Sequence, residues 1–466
     1  MRNRYDYHQW AANGCTGWSY KDVLPYFLKS EDIQIDELKS SVYHHSGGPL
    51  AVSGSRITEL SDLYMKAGQE LVFNITDYNG ADQEGFHKIQ LNVRNGIREA
   101  TGLAFLGRIG KRSNLDVIET FVTKVNIKNN AADGVFYIRN GRKSYVRAKK
   151  EVILSAGAIN SPQILMLSGV GPKEHLKSMD IPVLLDLPVG NNMQHHLMAF
   201  LLTKINKPIS LSDDLINSFW TRFSYNLLGT GPLSIPGSEG SVFFYNDQSK
   251  CGKTSAGVQI IIYSKFMVEN DFNIKNSFAK ELFAEHGNIE GFNFIGSITN
   301  PKSRGTIRLK SSDPFDYPLI DPQYLTDKRD VENFIGGIRL WEWFMQTTTM
   351  EELGVDMNQM KLSFCSQHKF RSDDYWECFV RHLAITVYHH SSTCKMGADE
   401  DETAVVDSKL RVKGIKGLRV VDASVFPTVT SGNINAPVVM VAEKAADMIR
   451  GIDTVEYIRE KLPNHY

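Results

Sequence analysis

Glu151-Val152-Ile153-Leu154-Ser155-Ala156-Gly157-Ala158-Ile159-Asn160-Ser161-Pro162-Gln163-Ile164-Leu165-Met166-Leu167-Ser168-Gly169 holds two kinds of structure end to end. Its first five residues form a continuous apolar run too short for a helix, which reads as a strand buried on both faces, as in a parallel sheet. Ser161 then serves as N-cap, Pro162 as first helical residue, Ile164, Leu165 and Leu167 as the apolar side, and Gly169 as the stop. With Ala156-Gly157-Ala158 as the turn, this is a βα unit. A second one closes the chain: Leu418-Arg419-Val420-Val421 as strand, Asp422 at its carboxyl end, and a helix from Ala436 to Arg450 that Pro437 opens and Gly451 ends.

Outward from the first unit the pattern changes. Leu115–Ile118, Thr123–Ile127, Gly134–Arg139 and Ser144–Ala148 are short, β-branched and divided by Asn, Asp and Gly, which predicts a β-meander with a hairpin turn at Asn140-Gly141. Trp18–Phe27 reads as a short helix after Gly17. Between the two βα units, strand-like runs (Phe243–Tyr245, Val258–Tyr263, Thr306–Leu309) mix with helical patterning near residues 330–345, an α+β insert. The 466 residues exceed what one core supports, and no repeat or low-complexity linker divides them, so interleaved domains are expected.

Composition removes several function classes. A 42% apolar share, a 23% charged share and a net charge of −1 give neither a disordered chain nor a field for nucleic acid. The basic stretch Arg139, Arg142, Lys143, Arg147, Lys149 and Lys150 sits on the predicted hairpin and reads as solvated. No apolar window approaches the roughly 18–20 residues a membrane span needs. The five cysteines, Cys15, Cys251, Cys365, Cys378 and Cys394, are scattered and never spaced Cys-x-x-Cys, so reduced thiols are expected rather than a disulfide framework or zinc site. Adjacent histidines (His44-His45, His195-His196, His389-His390) diverge on regular backbone and lack ligand spacing, so no metal is expected.

Residues 160–171, ending Ser168-Gly169-Val170-Gly171, resemble the second signature of the glucose-methanol-choline oxidoreductases. The resemblance continues in the family's order through Asp6-Tyr7, Trp10, Gly17-Trp18-Ser19-Tyr20, Asp77-Tyr78-Asn79-Gly80, Gln83, Gly85-Phe86, Pro301–Gly305 and Val405-Val406-Asp407, close to the full chain. It implies an incomplete FAD-binding Rossmann-like α/β domain interleaved with an α+β, antiparallel-sheet substrate domain. The implied division is 1–93 as lid and substrate-side segment, 94–196 as part of the FAD-binding domain, 197–409 as substrate domain with an active-site loop at 388–397, and 410–455 as the closing part of the FAD-binding domain.

The tract Tyr388-His389-His390-Ser391-Ser392-Thr393-Cys394-Lys395-Met396-Gly397 resembles the family's active-site loop, whose first histidine faces the flavin ring. The resemblance makes His389 the base that removes the hydroxyl proton while hydride leaves carbon for flavin N5, a role worth about 10²–10⁴-fold. It makes Asn433, in Thr428–Pro437, the partner whose amide donates to an oxygen gaining alkoxide character. The plainer reading is that Asn433 and Asn435 cap the last helix, and Asn435 is expected to do so. That helix's positive end, at Asn435 and Ala436, would point at the flavin's pyrimidine end and favour the reduced anion. The resemblance also implies flavin contacts at Ala156 and Gly157, ribityl-pyrophosphate contacts at Asp422 and Ala423, and a backbone contact from Val122 to adenine. The substrate would be a sugar or other small alcohol and the acceptor a quinone, since the chain resembles the glucose-dehydrogenase-like branch more than the oxidases.

Two departures stand out. The chain has Met193-Gln194-His195-His196 where the family usually has Leu-Gln-Asp-His, and His389-His390 where it has His-Pro. The first change is expected to alter an ion pair and the second to loosen the active-site loop. No Gly-x-Gly-x-x-Gly occurs; Gly169-Val170-Gly171 and Gly229-Thr230-Gly231 fail at the sixth position. The start Met1–Asp6 resembles a point inside the family's sequence, past its dinucleotide-binding turn. A truncated, flavin-free remnant acting as a binding protein is therefore the competing expectation, and any signal peptide for secretion would lie upstream.

Overall fold

The computed structural model describes residues 3–55, 58–110, 112–234, 236–246, 256–265, 273–282, 289–460 and 462. Its principal strands are β1 (Gly85–Lys88), β2 (Phe121–Lys128), β3 (Ala131–Arg139), β4 (Arg142–Arg147), β5 (Val152–Leu154), β6 (Leu197–Lys204), β7 (Ser238–Phe244), β8 (Val258–Tyr263), β9 (Gly291–Ile298), β10 (Ile385–Thr386) and β11 (Leu418–Val420). The principal helices are α1 (Arg4–Ala12), α2 (Tyr20–Ser30), α3 (Gly157–Leu167), α4 (Lys328–Phe344), α5 (Asp373–Leu383) and α6 (Asn435–Arg450).

The two βα units meet in the fold. Strands β5 and β11 pair in parallel, Val152 opposite Leu418 and Leu154 opposite Val420, although the whole α+β insert lies between them in sequence. Helices α1, α2, α3 and α6 surround them in one hydrophobic core with Tyr7, Trp10, Trp18, Phe27, Leu165, Val420 and Met440. The other core is built on a six-stranded sheet in the order β10-β6-β9-β8-β7-β1, antiparallel throughout. Helices α4 and α5 cover it, with Trp341, Phe344, Trp376 and Phe379 fully buried. Residues 1–93 are shared: α1 and α2 pack in the first core, while β1 edges the six-stranded sheet.

The expected meander is the sheet β2-β3-β4, with the hairpin turn at Asn140 (φ 49°) and Gly141 (φ 74°). Positive φ at both central positions is the geometry that Asn-Gly supplies cheaply. The basic side chains around it are exposed.

Four expectations are corrected. Leu115–Ile118 forms no strand; its apolar side chains stay exposed without a partner edge. Strand β5 is not buried on both faces, because Ile153 is 43% exposed while Val152 and Leu154 are buried. Helix α3 starts at Gly157, not after Ser161, because its opening is capped from across the fold: the Gly157 N–H donates to Asp422 at 2.9 Å. Ser161 lies inside the helix, accepting from the Ala156 N–H and donating to Asp422. Lastly, Cys365 and Cys378 form a disulfide, pinning a 3₁₀ turn to α5, while Cys15 and Cys394 are free and buried and Cys251 lies outside the described residues. One pair among five scattered cysteines leaves no framework pattern to read, so only spatial approach reveals it. Among the described residues, no helix is long and apolar enough to cross a membrane.

Candidate active site

Two loops are held against each other by amides and carboxylates from elsewhere in the chain. Gln194 pairs with the 388–397 loop through reciprocal backbone bonds to Ser391 at 3.0 and 3.1 Å. Its side-chain amide donates to Pro427 O at 3.2 Å and accepts from the Val429 N–H at 3.1 Å. Asp6 accepts from both the N–H and the hydroxyl of Ser431, each at 2.7 Å, and the Gln83 amide donates to Ser431 O. The Trp10 indole donates to Thr428. These bonds give Asp6, Trp10 and Gln83 a physical role: they set the path of the segment that carries Asn433. The 388–397 loop is also tied to the second βα turn, Ser392 N–H to Ala423 O and Cys394 N–H to Ser424 O. Despite His390, this loop is anchored along its length.

Asn433 and His389 come together at the junction, with Asn433 Nδ2 3.3 Å from His389 Nε2. The other ring nitrogen of His389 faces His196 Nδ1 at 3.0 Å, and His196 Nε2 faces the Thr299 carbonyl at 2.9 Å. Burial lowers the pKa of His196 from 6.5 to about 4, and burial together with the neighbouring His196 holds His389 well below 6.5. Both rings are neutral near pH 7. The extended backbone before β6 sends His195 the other way, to Tyr324 OH, to Thr386 Oγ1 at 2.9 Å and onto the ring of His390. Among the described residues His195 meets hydroxyls and a ring, so the expected change of an ion pair is not what the histidine does there.

The remaining predicted residues occupy three places. Ala156, Gly157, Asp422 and Ala423 cluster at the carboxyl ends of β5 and β11, where both Asp422 oxygens accept: Gly157 N–H, Ser161 hydroxyl and Ser424 N–H. Asn433, Asn435 and Ala436 line a cavity of about 820 Å³ with Tyr78, Asn79 and Gln90. Asn435 does not cap α6; it is the first helical residue, and its amide donates to Asn92 at 3.0 Å. Val122 lies apart on β2, beside a register shift between Val122 and Lys124. Pro162, without an N–H, frees the carbonyl of Ala158 inside α3, and Thr393 of the histidine loop donates to it at 2.6 Å.

Family models described as GMC oxidoreductase match residues 2–198 and 301–442, which together take in the junction, both βα units and the histidine loop. The chain belongs to the GMC oxidoreductases. A glucose dehydrogenase [FAD, quinone] of Drosophila pseudoobscura pseudoobscura is 37% identical over 473 residues, covering 96% of this chain and 71% of that protein. A mitochondrial choline dehydrogenase of Mus musculus is 36% identical, covering 97% and 73%. Among solved structures, a formate oxidase superposes with a TM-score of 0.85 at 22% identity over 96% of this chain and 81% of that one, which speaks for the fold alone. This GMC oxidoreductase is an FAD-dependent enzyme of the alcohol and sugar dehydrogenase class.

The residues present fit that cofactor where they can be tested. Helix α6 has no side-chain cap at Ile434, so its positive end opens on the cavity that Asn435 and Ala436 line, a setting for an electron-rich ring. Gly157 has φ +82° and nothing within 4 Å of where a Cβ would stand, which leaves the turn open to close approach. Sequence reading passed over His196, Thr299 and Thr393. The Gln194-His195-His196 tract carried the one usable signal: strand alternation sends neighbouring rings to opposite faces.

Proposed function

We propose that this GMC oxidoreductase oxidises the CH–OH group of a sugar or other small alcohol with His389 as base and Asn433 as its partner, and that its electrons leave to a quinone-type acceptor. The observation that supports the reading best is the approach of the Asn433 amide to His389 Nε2 at 3.3 Å, beside the 820 Å³ cavity. FAD, when bound, supplies the hydride acceptor. The chain's own part is proton and charge handling: His389 Nε2 takes the hydroxyl proton and the Asn433 amide donates to the oxygen as it gains negative charge. A neutral imidazole in a half-buried place suits a base, because it holds a lone pair at pH 7. The proposed cofactor contacts are Ala156, Gly157, Asp422 and Ala423 at the βα turns, Asn435 and Ala436 at the α6 end, and Val122 on β2. The quinone-type acceptor rests on the likeness to glucose dehydrogenase [FAD, quinone]. The flavin-free alternative is not favoured by matches that run through both halves of the site.

Turnover of FAD-loaded enzyme with a panel of sugars and choline, a quinone as acceptor, tests this. His389→Ala is expected to lower kcat by at least about 10²-fold. An unchanged rate would reassign the base, and reduction of oxygen in place of quinone would replace the acceptor.

A further inference from the structure

His196 touches the base, and its own partners decide which nitrogen of that base carries hydrogen. The Thr299 carbonyl has only lone pairs, so His196 Nε2, 2.9 Å away, carries the hydrogen between them. A neutral imidazole has one N–H, so His196 Nδ1 is left as an acceptor. Two nitrogens 3.0 Å apart are bonded only if one of them donates, and the donor is then His389 Nδ1–H. His389 Nε2 remains as the lone pair, and this is the atom that faces Asn433 Nδ2 at 3.3 Å.

We propose that His196 is a positioning residue that fixes His389 in the tautomer whose Nε2 is free to accept a proton, with the Thr299 carbonyl as the fixed end of the chain of bonds. The inference rests on the reading of His389 as base and deepens it. A lone imidazole in water interconverts its tautomers freely; here the wrong one would point two lone pairs at each other across 3.0 Å and present an N–H to the substrate hydroxyl. The anchor is rigid. Thr299 is 1% exposed, and its N–H donates to Gly257 O at 3.1 Å. His196 is likewise buried, at the mouth of β6. Burial keeps both rings neutral, as the assignment requires. After proton transfer His389 Nδ1–H still donates to the same lone pair, so the contact serves both states without rearrangement.

The test is ¹⁵N NMR of the histidine-labelled full chain at neutral pH, with His389→Gln to assign the His389 signals. The expected spectrum has Nδ1 protonated and Nε2 bare. His196→Asn can place its oxygen near the former Nδ1 and keep that spectrum; His196→Gln reaches toward Thr299 instead and is expected to give mixed tautomers. In FAD-loaded enzyme, H196Q should lower kcat about 10²-fold with little change in KM, and H196N should recover most of it. An Nε2-protonated His389 in the unaltered chain overturns the proposal, as does an H196Q spectrum identical to the parent's. If the variants do not fold, the parent spectrum alone decides. Full turnover in H389A beside an Nδ1-protonated His389 would remove the base reading and leave the tautomer assignment standing.

Discussion

The rings of His195 and His390 stack 4.0 Å apart at 27°, and both stand where the chain differs from the Leu-Gln-Asp-His and His-Pro patterns that its resemblance to the family implies. Two substitutions that look unrelated in sequence are one contact in space. A flat ring in place of a carboxylate offers a face, and a ring in place of proline fills it. Stacked rings are worth about 0.5–1.5 kcal/mol beyond their burial. A double-mutant cycle of His195→Ala and His390→Ala in urea unfolding should therefore give a coupling energy near 1 kcal/mol. Strict additivity would mean that the two rings stabilise the fold independently.

The buried neighbours His195 and His196 make stability depend on pH. Burial lowers His196 from 6.5 to about 4 and His195 to about 2. Between pH 6.5 and 4 the unfolded chain binds protons that the folded chain refuses, so stability is complete above 6.5 and falls as the solution is acidified. His196 by itself would contribute about 3 kcal/mol of that loss. Urea midpoints should stay level from pH 7.5 to about 6.5 and fall from there to pH 4, and His195→Phe should flatten the curve. A midpoint constant across that range would show that the cluster is hydrated and titrates normally.

Asp422 joins the two βα units through a carboxylate that is 6% exposed. Removing it leaves the buried Ser161 hydroxyl and the half-buried Gly157 N–H without their acceptor. Asp422→Ala should cost about 2–4 kcal/mol in denaturant unfolding. Asp422→Asn, which keeps one acceptor, should cost less. Equal losses in the two variants would point to the negative charge rather than the hydrogen bonds.

The Cys365–Cys378 bond closes a short loop, with a sequence separation of 13. Closure of this size is worth about 3 kcal/mol in the chain-entropy account. Thermal unfolding should shift down on adding a reductant strong enough to open the bond. Mass spectrometry of protein alkylated before reduction should recover the two peptides still linked. Alkylation of both cysteines without reductant would return the pair to the thiol state expected from the sequence.

How much was legible follows from the range of each interaction. The Asn140-Gly141 hairpin, the helix that Gly451 ends and the two βα units as local elements were readable because turn chemistry and the strand and helix periods act over a few residues, whereas the pairing of their strands needed the fold. The histidine loop and Asn433 were reachable through resemblance, as long motifs in order. Other features needed the folded path of the chain. Asp422 replaces Ser161 as the cap of α3, Asp6 holds Ser431, Thr393 satisfies the carbonyl that Pro162 frees, and Cys365 finds Cys378. The His196–His389 bond belongs with them, because each residue's neighbours in sequence say nothing about a partner 193 positions away. The local elements and the chemistry on offer follow from residue order. Which lone pair meets which hydrogen follows from the folded path, since burial and distance between remote segments are properties of the folded chain alone.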